Sequence, residues 1–361
     1  MIKEDFRTAG ITYLDTAHDG LFSRKNALKI NKIRSESLEN ITKVRAEFGS
    51  EGLPRTQALL AEYLNCSKHE VCLVNSFSVG FNYLLPSLEV FNKVLLLDND
   101  YPSLWMPLGL RDFELKMVSP DANNRFTAES IIAHAEEFKP EIIALSHVQY
   151  TTGFLSDIKS IGEYCSANNI VFIVDATQSF GCVPIDLSKL KIDVLAASTY
   201  KWMCAGHGAG FIYVNKKLQS KIKFKLGWYG VAQKFGDQWE SNQSLLNLEA
   251  GHKDHEAFYR LQFALEDGLQ RSTQEVFNHN SDLILKLKEI LVAKEYELIS
   301  NFKDEEYAGI LVIKEPEGLY DRLMKNNIIV TQRGGTIRLS CHFYNQQQDL
   351  ERLKDCLLPA S

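Results

Sequence analysis

An acid, an amide, a hydroxyl and a lysine fall at the ends of apolar runs between Ile170 and Val214 (IVFIVDATQSFGCVPIDLSKLKIDVLAASTYKWMCAGHGAGFIYV). Ile170–Val174 is too short for a helix and rich in β-branched residues. It reads as a buried strand ending at Asp175, with Gln178 just beyond. Val194–Ala197 is a second run, ending at Ser198 and followed by Tyr200 and Lys201, and Phe211–Val214 is a third. In an open α/β sheet, ligands bind outside the carboxyl ends of the strands. Asp175, Gln178, Ser198 and Lys201 are therefore expected to converge, although Asp175 and Lys201 stand 26 positions apart.

This set of groups suits pyridoxal phosphate. The cofactor needs a lysine for its aldehyde and an acid to keep its pyridine nitrogen protonated, so that the ring acts as an electron sink. It also needs a donor near the ring hydroxyl and a cradle for its phosphate. Lys201 can form the Schiff base, Asp175 can pair with the ring nitrogen, Gln178 can reach the ring oxygen, and Ser198 and Tyr200 can bind phosphate. Taken singly, an acid at a strand end is a common turn or cap residue, and most lysines are solvated. The order and spacing of the whole set are what make it specific.

With that order, the segment resembles the class V aminotransferase family of fold type I pyridoxal-phosphate enzymes. The family includes aminotransferases, cysteine desulfurases, kynureninases and isopenicillin N epimerases. The matching pattern is D-A-x-Q at Asp175–Gln178, then S-x-(H)-K at Ser198–Lys201, with Tyr200 in place of the usual histidine. A phenol still donates to phosphate. The resemblance runs from Tyr13-Leu14-Asp15 to Asn345.

The resemblance implies roles for further residues. Val74–Asn82 follows a strand and opens a helix, and the free N–H groups of a helix start bind phosphate. There the Phe77 backbone and Ser78 are expected to touch the phosphate, Ser78 being equally readable as a helix cap. Tyr101 stands where relatives stack a ring on the cofactor. Gln149, in an S-x-V-Q segment, would sit near the ring oxygen or the substrate, while the adjacent His147 reads as a structural strand-end histidine. Leu248–His252 resembles an F-E-A-G-T turn that reaches the phosphate of the neighbouring subunit in a homodimer, with His252 replacing the threonine. His252 and His255 also have the spacing of a metal pair, without an evident third ligand. Arg338 is implied as the grip for the substrate carboxylate, because a guanidinium offers two parallel hydrogen bonds. Arg333 is a second candidate for substrate binding.

Stepping outward, 361 residues with 45% apolar and 24% charged side chains make a globular chain of about two domains. A net charge of −6 argues against nucleic acid as a partner. No apolar run approaches the roughly 18 residues of a membrane helix, and the N-terminus carries no signal-like apolar region. Seven cysteines without metal spacing read as buried thiols in a reducing cytosol, so a cytoplasmic enzyme is expected. A small-molecule amino acid is the expected partner, in a homodimer with sites near the interface and no membrane contact.

The elements that must position these residues alternate. Strands are predicted at Val71–Val74, Val94–Leu97, Ile142–Leu145, Ile170–Val174, Val194–Ala197 and Phe211–Val214, with helices at Arg55–Leu64, Ala128–Glu137 and Ile158–Ala167. That pattern makes a mostly parallel α/β sheet flanked by helices. Helical stretches at about 254–272 and 276–294 then precede short strands at Ile310–Ile313, Ile328–Val330 and Ile337–Leu339 and a last helix after Asn345. The expected division is an N-terminal segment 1–15 packing with the small domain, a large cofactor-binding domain 16–250, and a small C-terminal α+β domain 251–361.

The expected reaction is aminotransfer on an amino acid, with Lys201 as base and Asp175 holding the ring cation. Only Gly334–Ile337 separate Arg333 from Arg338, which leaves no room for the cysteine-bearing loop of a desulfurase. Cys341 is expected to be packed rather than catalytic. A lyase or epimerase on the same cofactor is the alternative, whether carbon–sulfur lyase-like, kynureninase-like or isopenicillin N epimerase-like. A non-catalytic protein that kept the fold is disfavoured by the presence of Lys201 and Asp175. A nicotinamide-dinucleotide enzyme is disfavoured because the Gly206–Gly210 cluster precedes a strand instead of following one.

Overall fold

The computed structural model describes residues 3–6, 10–224, 231–235, 238–241 and 244–358. In chain order the strands are β1 (Thr12–Tyr13), β2 (Val71–Val74), β3 (Lys93–Leu97), β4 (Glu114–Val118), β5 (Ile142–Ser146), β6 (Val171–Asp175), β7 (Val194–Ser198), β8 (Gly210–Val214), β9 (Val231–Phe235), β10 (Gln238–Ser241), β11 (Ile310–Lys314), β12 (Ile328–Ile329), β13 (Thr331–Arg333) and β14 (Thr336–Ser340). The helices are α1 (Arg24–Glu47), α2 (Leu53–Leu64), α3 (Phe77–Leu88), α4 (Pro102–Gly109), α5 (Ala128–Phe138), α6 (Ile158–Asn168), α7 (Lys216–Gln219), α8 (His255–Leu269), α9 (Thr273–Ala293), α10 (Leu319–Lys325) and α11 (Gln347–Cys356).

A seven-stranded sheet runs in the order β2-β8-β7-β6-β5-β3-β4. All its strands point the same way except β8, which is antiparallel to both neighbours. The apolar runs are continuous because both faces of this sheet are covered. Alternate residues sort into two cores. Leu95, Ile143, Phe172, Val174, Leu195 and Phe211 face one layer of helices, while Val94, Ile142, Ile173, Val194, Ala196 and Ile212 face the other.

β4 and α1 are among the elements whose apolar pattern is too weak to be read from sequence. β4 lies at the sheet edge with Glu114 and Lys116 exposed and Leu115 and Met117 only partly buried, so ELKMV gives a short, weak apolar signal before the buried Val118. α1 buries only Asn26, Ile30 and Val44 among its 24 residues. It is started by Ser23, whose side chain accepts the Asn26 N–H.

A smaller antiparallel sheet, β11-β14-β13, carries Arg338. The N-terminal segment is built into this end of the molecule. β1 pairs in parallel with β12, Asp15 bridges to Ser340, and the Phe6 ring stands 5.0 Å from Phe343. Among the described residues, no helix is long and apolar enough to cross a membrane.

Candidate active site

Three adjacent strand ends build the floor of the site. Ser146 of β5 and Asp175 of β6 are register partners, and Asp175 also pairs with Ala196 of β7, two residues before Ser198. Asp175 is buried, and Oδ1 accepts the Thr177 N–H at 2.8 Å. Burial raises its carboxyl to about 7 against the opposing pull of Thr177, with the neighbouring Asp100 adding to the rise and Lys201 lowering it.

Lys201 follows β7 and is also buried. Its amine lies 5.5 Å from the centre of the Tyr200 ring and 5.8 Å from that of Tyr101. Burial and the nearby Arg338 cation lower it to about 8, offset in part by Asp175 and Asp19. Lys201 is backed by the N-terminal segment. The Gly20 N–H donates to the Tyr200 carbonyl at 3.0 Å, and a Cβ on Gly20 would come within 1.8 Å of the Lys201 carbonyl oxygen, so that approach requires glycine. Tyr200 stacks on His207 at 4.2 Å, and burial lifts its phenol to about 12.

The small sheet closes the other side. Arg338 is buried, with Nη1 donating to the Tyr150 carbonyl at 2.9 Å and Nη2 to the Thr331 hydroxyl at 3.3 Å. Among the described residues, its Nε has no hydrogen-bond partner. Burial lowers Arg338 to about 10, opposed by the attraction of Asp15. Arg333 lies 5.2 Å over the Tyr150 ring, and Tyr150 meets Tyr101 edge-on at 5.4 Å.

The structure brings Asp175, Ser198, Tyr200, Lys201, Tyr101, Arg338 and Arg333 into one neighbourhood. Gln149 belongs there too. It is buried, lies close enough to Asp100 to favour that residue's carboxylate, and has neither amide atom in hydrogen-bond geometry. Gln178 is held by the protein on two sides. Its Nε2 donates to the Ala17 carbonyl at 3.0 Å and its Oε1 accepts the Trp202 indole N–H at 2.8 Å, so the protein already holds most of the amide. At the start of α3, the Ser198 hydroxyl accepts the Phe77 N–H at 2.9 Å, and Ser76 caps Val79. The Ser78 hydroxyl donates to Ser103 at 2.8 Å, which leaves the Ser78 N–H as the first-turn donor free of these caps. One contact of His252 is with Arg45 at the end of α1, 3.3 Å away. His147 is buried and lowered to about 4 by desolvation, hence neutral. His255 packs on Phe48, and among the described residues no group of three side chains could hold a metal.

Sequence reasoning missed Asp100. This buried acid accepts the Tyr101 N–H at 2.7 Å and the Ser146 N–H at 2.8 Å, so it ties the Tyr101 turn to the end of β5. The signal available was an acid immediately before the aromatic at a strand end. Thr177 was also missed. Its hydroxyl accepts the Ser198 N–H at 3.2 Å and links the two strand ends. Cys341 is fully buried, and desolvation pushes its thiol far up.

These observations fit pyridoxal phosphate as the group the site is made for. A buried amide without partners, a buried acid awaiting a cation and an amine of lowered basicity make up its donor set. Comparison with known proteins agrees. The family profile described as Aminotransferase class-V matches residues 49–353. An uncharacterized aminotransferase of Bacillus subtilis, YcbU, is 26% identical over 306 residues, covering 82% of this chain and 80% of that protein. The cysteine desulfurase IscS of Serratia proteamaculans is 31% identical over 208 residues, half of this chain and 51% of that protein. In fold, the chain is similar to a cysteine desulfurase from Thermococcus onnurineus, with a TM-score of 0.89 at 17% identity over 98% of this chain and 96% of that one. The cystine C-S lyase C-DES has a TM-score of 0.86 at 18% identity, over 96% of this chain and 98% of that one. The chain belongs to the class-V aminotransferase family, a family of fold type I enzymes that use pyridoxal phosphate.

Proposed function

We propose that this protein is an aminotransferase acting on an α-amino acid at the Lys201 site. The observation that carries the reading is the buried Lys201 amine, lowered to about 8 between the Tyr101 and Tyr200 rings and facing a buried acid on the next strand end. The likeness to YcbU over most of both chains supports aminotransfer.

Lys201 would hold the cofactor through its amine, Asp175 would face the ring nitrogen, Tyr101 would lie along the ring, and Gln149 would meet the ring oxygen. Ser198, Tyr200 and the start of α3, with Phe77 and Ser78, would surround the phosphate. Gln178 would contribute its remaining amide hydrogen. When bound, pyridoxal phosphate supplies an aldehyde that captures amines and a ring that takes up the electrons left at Cα.

The residues of this chain do the rest. An amine at about 8 is roughly one-tenth neutral at pH 7, which suits Lys201 to take a proton from Cα and return it. Asp175, once beside a cation, stays ionised and holds that cation in place. Arg338 pairs with the substrate carboxylate and turns the Cα–H bond towards Lys201.

The working unit in this reading is a twofold dimer, with the Glu249–His252 turn offered to the neighbouring subunit. Leu28, Leu38 and Ile41 on α1 are 71%, 89% and 57% exposed, which supports a covered face there. A second reading, a carbon–sulfur lyase that uses Lys201 as base without a protein thiol, is favoured by the likeness to IscS over half of the chain.

Borohydride reduction of the cofactor-loaded enzyme followed by peptide mapping should place a pyridoxyl label on Lys201. An amino donor without acceptor should change the visible absorbance, and a keto acid should restore it. A label elsewhere overturns the assignment. Pyruvate and ammonia release without that reversible change selects the lyase.

A further inference from the structure

The hairpin that carries Arg338 presents a second guanidinium on the same face. Gly334 and Gly335 both have positive φ, +54° and +76°, as a two-residue type I′ turn requires. That turn sets the register. Thr331 stands opposite Arg338, and Arg333 opposite Thr336. Residues directly opposite share a face, and so do residues two apart on one strand. Thr331, Arg333, Thr336 and Arg338 therefore share one face, with the two arginines on a diagonal, whose spacing is about 7–8 Å in such pairs.

That face borders a cavity of about 240 Å³, walled also by Tyr150 and Thr151. No acid lines it. Arg338 is buried in the cavity wall with an unpaired Nε, whereas Arg333 is exposed at its rim and leans on the Tyr150 ring. Among the described residues, Arg333 forms no ion pair with a carboxylate. Asp15 accepts the Thr331 hydroxyl. Tyr150 of the cavity wall meets Tyr101 edge-on at 5.4 Å, and the Lys201 amine lies 5.8 Å from the Tyr101 ring centre. Arg333 and Arg338 each lower the basicity of Lys201, while Asp175 and Asp19 raise it and Asp15 attracts Arg338. A substrate with one carboxylate, held by Arg338, leaves Arg333 without a counter-charge among the described residues.

We propose that Arg333 is a specificity residue and that the substrate is an amino acid with a second carboxylate. Arg338 takes the α-carboxylate in the wall and Arg333 takes the side-chain carboxylate at the rim. This rests on the reading that Lys201 serves an α-amino acid, and it names the side chain that the rest of the site leaves open. An exposed guanidinium–carboxylate pair should favour the diacid by about 3- to 5-fold.

The test uses unreactive acids on the cofactor-loaded protein. Glutarate and valerate have the same carbon count and differ by one carboxylate. By calorimetry, glutarate should bind about 3- to 5-fold tighter than valerate. Arg333→Gln should erase that preference and leave valerate binding unchanged, and Arg333→Lys should keep part of it. Arg338→Gln should weaken both acids. Steady-state assays should show that Arg333→Gln raises KM for an acidic amino donor with little change in kcat. Equal binding of the two acids by the wild-type protein, or an unaltered preference in Arg333→Gln, overturns the proposal. If Lys201 takes the pyridoxyl label and no diacid preference is seen, only the substrate class falls. A protein that prefers glutarate through Arg333 but takes no label at Lys201 retains this inference and loses the proposed activity.

Discussion

The indole of Trp202 donates to Oε1 of Gln178 at 2.8 Å, and the same amide donates back to the Ala17 carbonyl at 3.0 Å. The residue after Lys201 thereby locks the amide three positions after Asp175 onto the N-terminal segment. The His342 ring completes this clamp, with Nε2 2.8 Å from the Trp202 carbonyl oxygen. Two glutamines that sequence assigns to one task are thus separated. Gln178 is a buried strut, and Gln149 is a buried amide beside Asp100 with neither atom in hydrogen-bond geometry among the described residues.

The two should respond oppositely to truncation. Gln178→Ala strands a buried indole N–H and a buried carbonyl, and each orphaned group costs about 1–3 kcal/mol. The cofactor-free protein should lose roughly 2 kcal/mol or more of stability. Gln149→Ala removes an unpaired amide and should leave that stability unchanged or raised, while weakening cofactor uptake. Thermal melts of the cofactor-free proteins and a pyridoxal phosphate titration check both. Equal destabilisation by the two variants would remove the distinction.

Asp175 gives the cofactor-free protein a pH dependence of definite sign. Its folded-state carboxyl sits near 7, against 3.8 for an ordinary aspartate. Between these values the unfolded chain releases its proton while the folded chain keeps it, so rising pH favours unfolding until the pH passes about 7. Asp175→Asn abolishes the titration. It should stabilise the cofactor-free protein at pH 8 by a few kcal/mol, on the order expected from the shift, and the gain should vanish near pH 4. Denaturation of both proteins at pH 4 and pH 8 measures it. A gain that grows as the pH falls would contradict the burial argument. With cofactor bound, the same substitution should cost on the order of 100-fold in turnover, because the ring cation loses its counter-charge.

The cysteines separate the reaction classes. All seven are free thiols; five are buried, and Cys66 and Cys356 are partly so. Cys341, the one nearest in sequence to Arg338, is fully enclosed and held as a thiol by desolvation. A persulfide mechanism needs a mobile thiolate. Cys341→Ala should therefore retain most activity on the true substrate, and cysteine should yield little sulfide. Sulfide release from cysteine that disappears in Cys341→Ala would overturn this and reinstate a desulfurase.

The strands that carry the site were legible because their signal is local. Val71–Val74 coincides with β2, and the runs ending before Asp175 and Ser198 became β6 and β7, each one residue longer at its carboxyl end. A run of β-branched residues closed by a polar side chain marks a buried strand wherever it packs, so Asp175 and Lys201 could be placed at neighbouring strand ends without coordinates. The small sheet was visible for the same reason in β11 and β14, while β13 was not, because Thr-Gln-Arg at an exposed edge has no apolar pattern. What only the tertiary structure decided depends on groups far apart in the chain. Trp202 and Ala17 choose the direction of Gln178, Ser146 accommodates the unread Asp100, and the Gly334–Gly335 turn sets Arg333 on the face of Arg338. Proton affinities belong to this second class as well. They follow from how much water the fold removes from Asp175 and Lys201 and from which charges it places beside them, and neither quantity is encoded in the residues next to them in sequence.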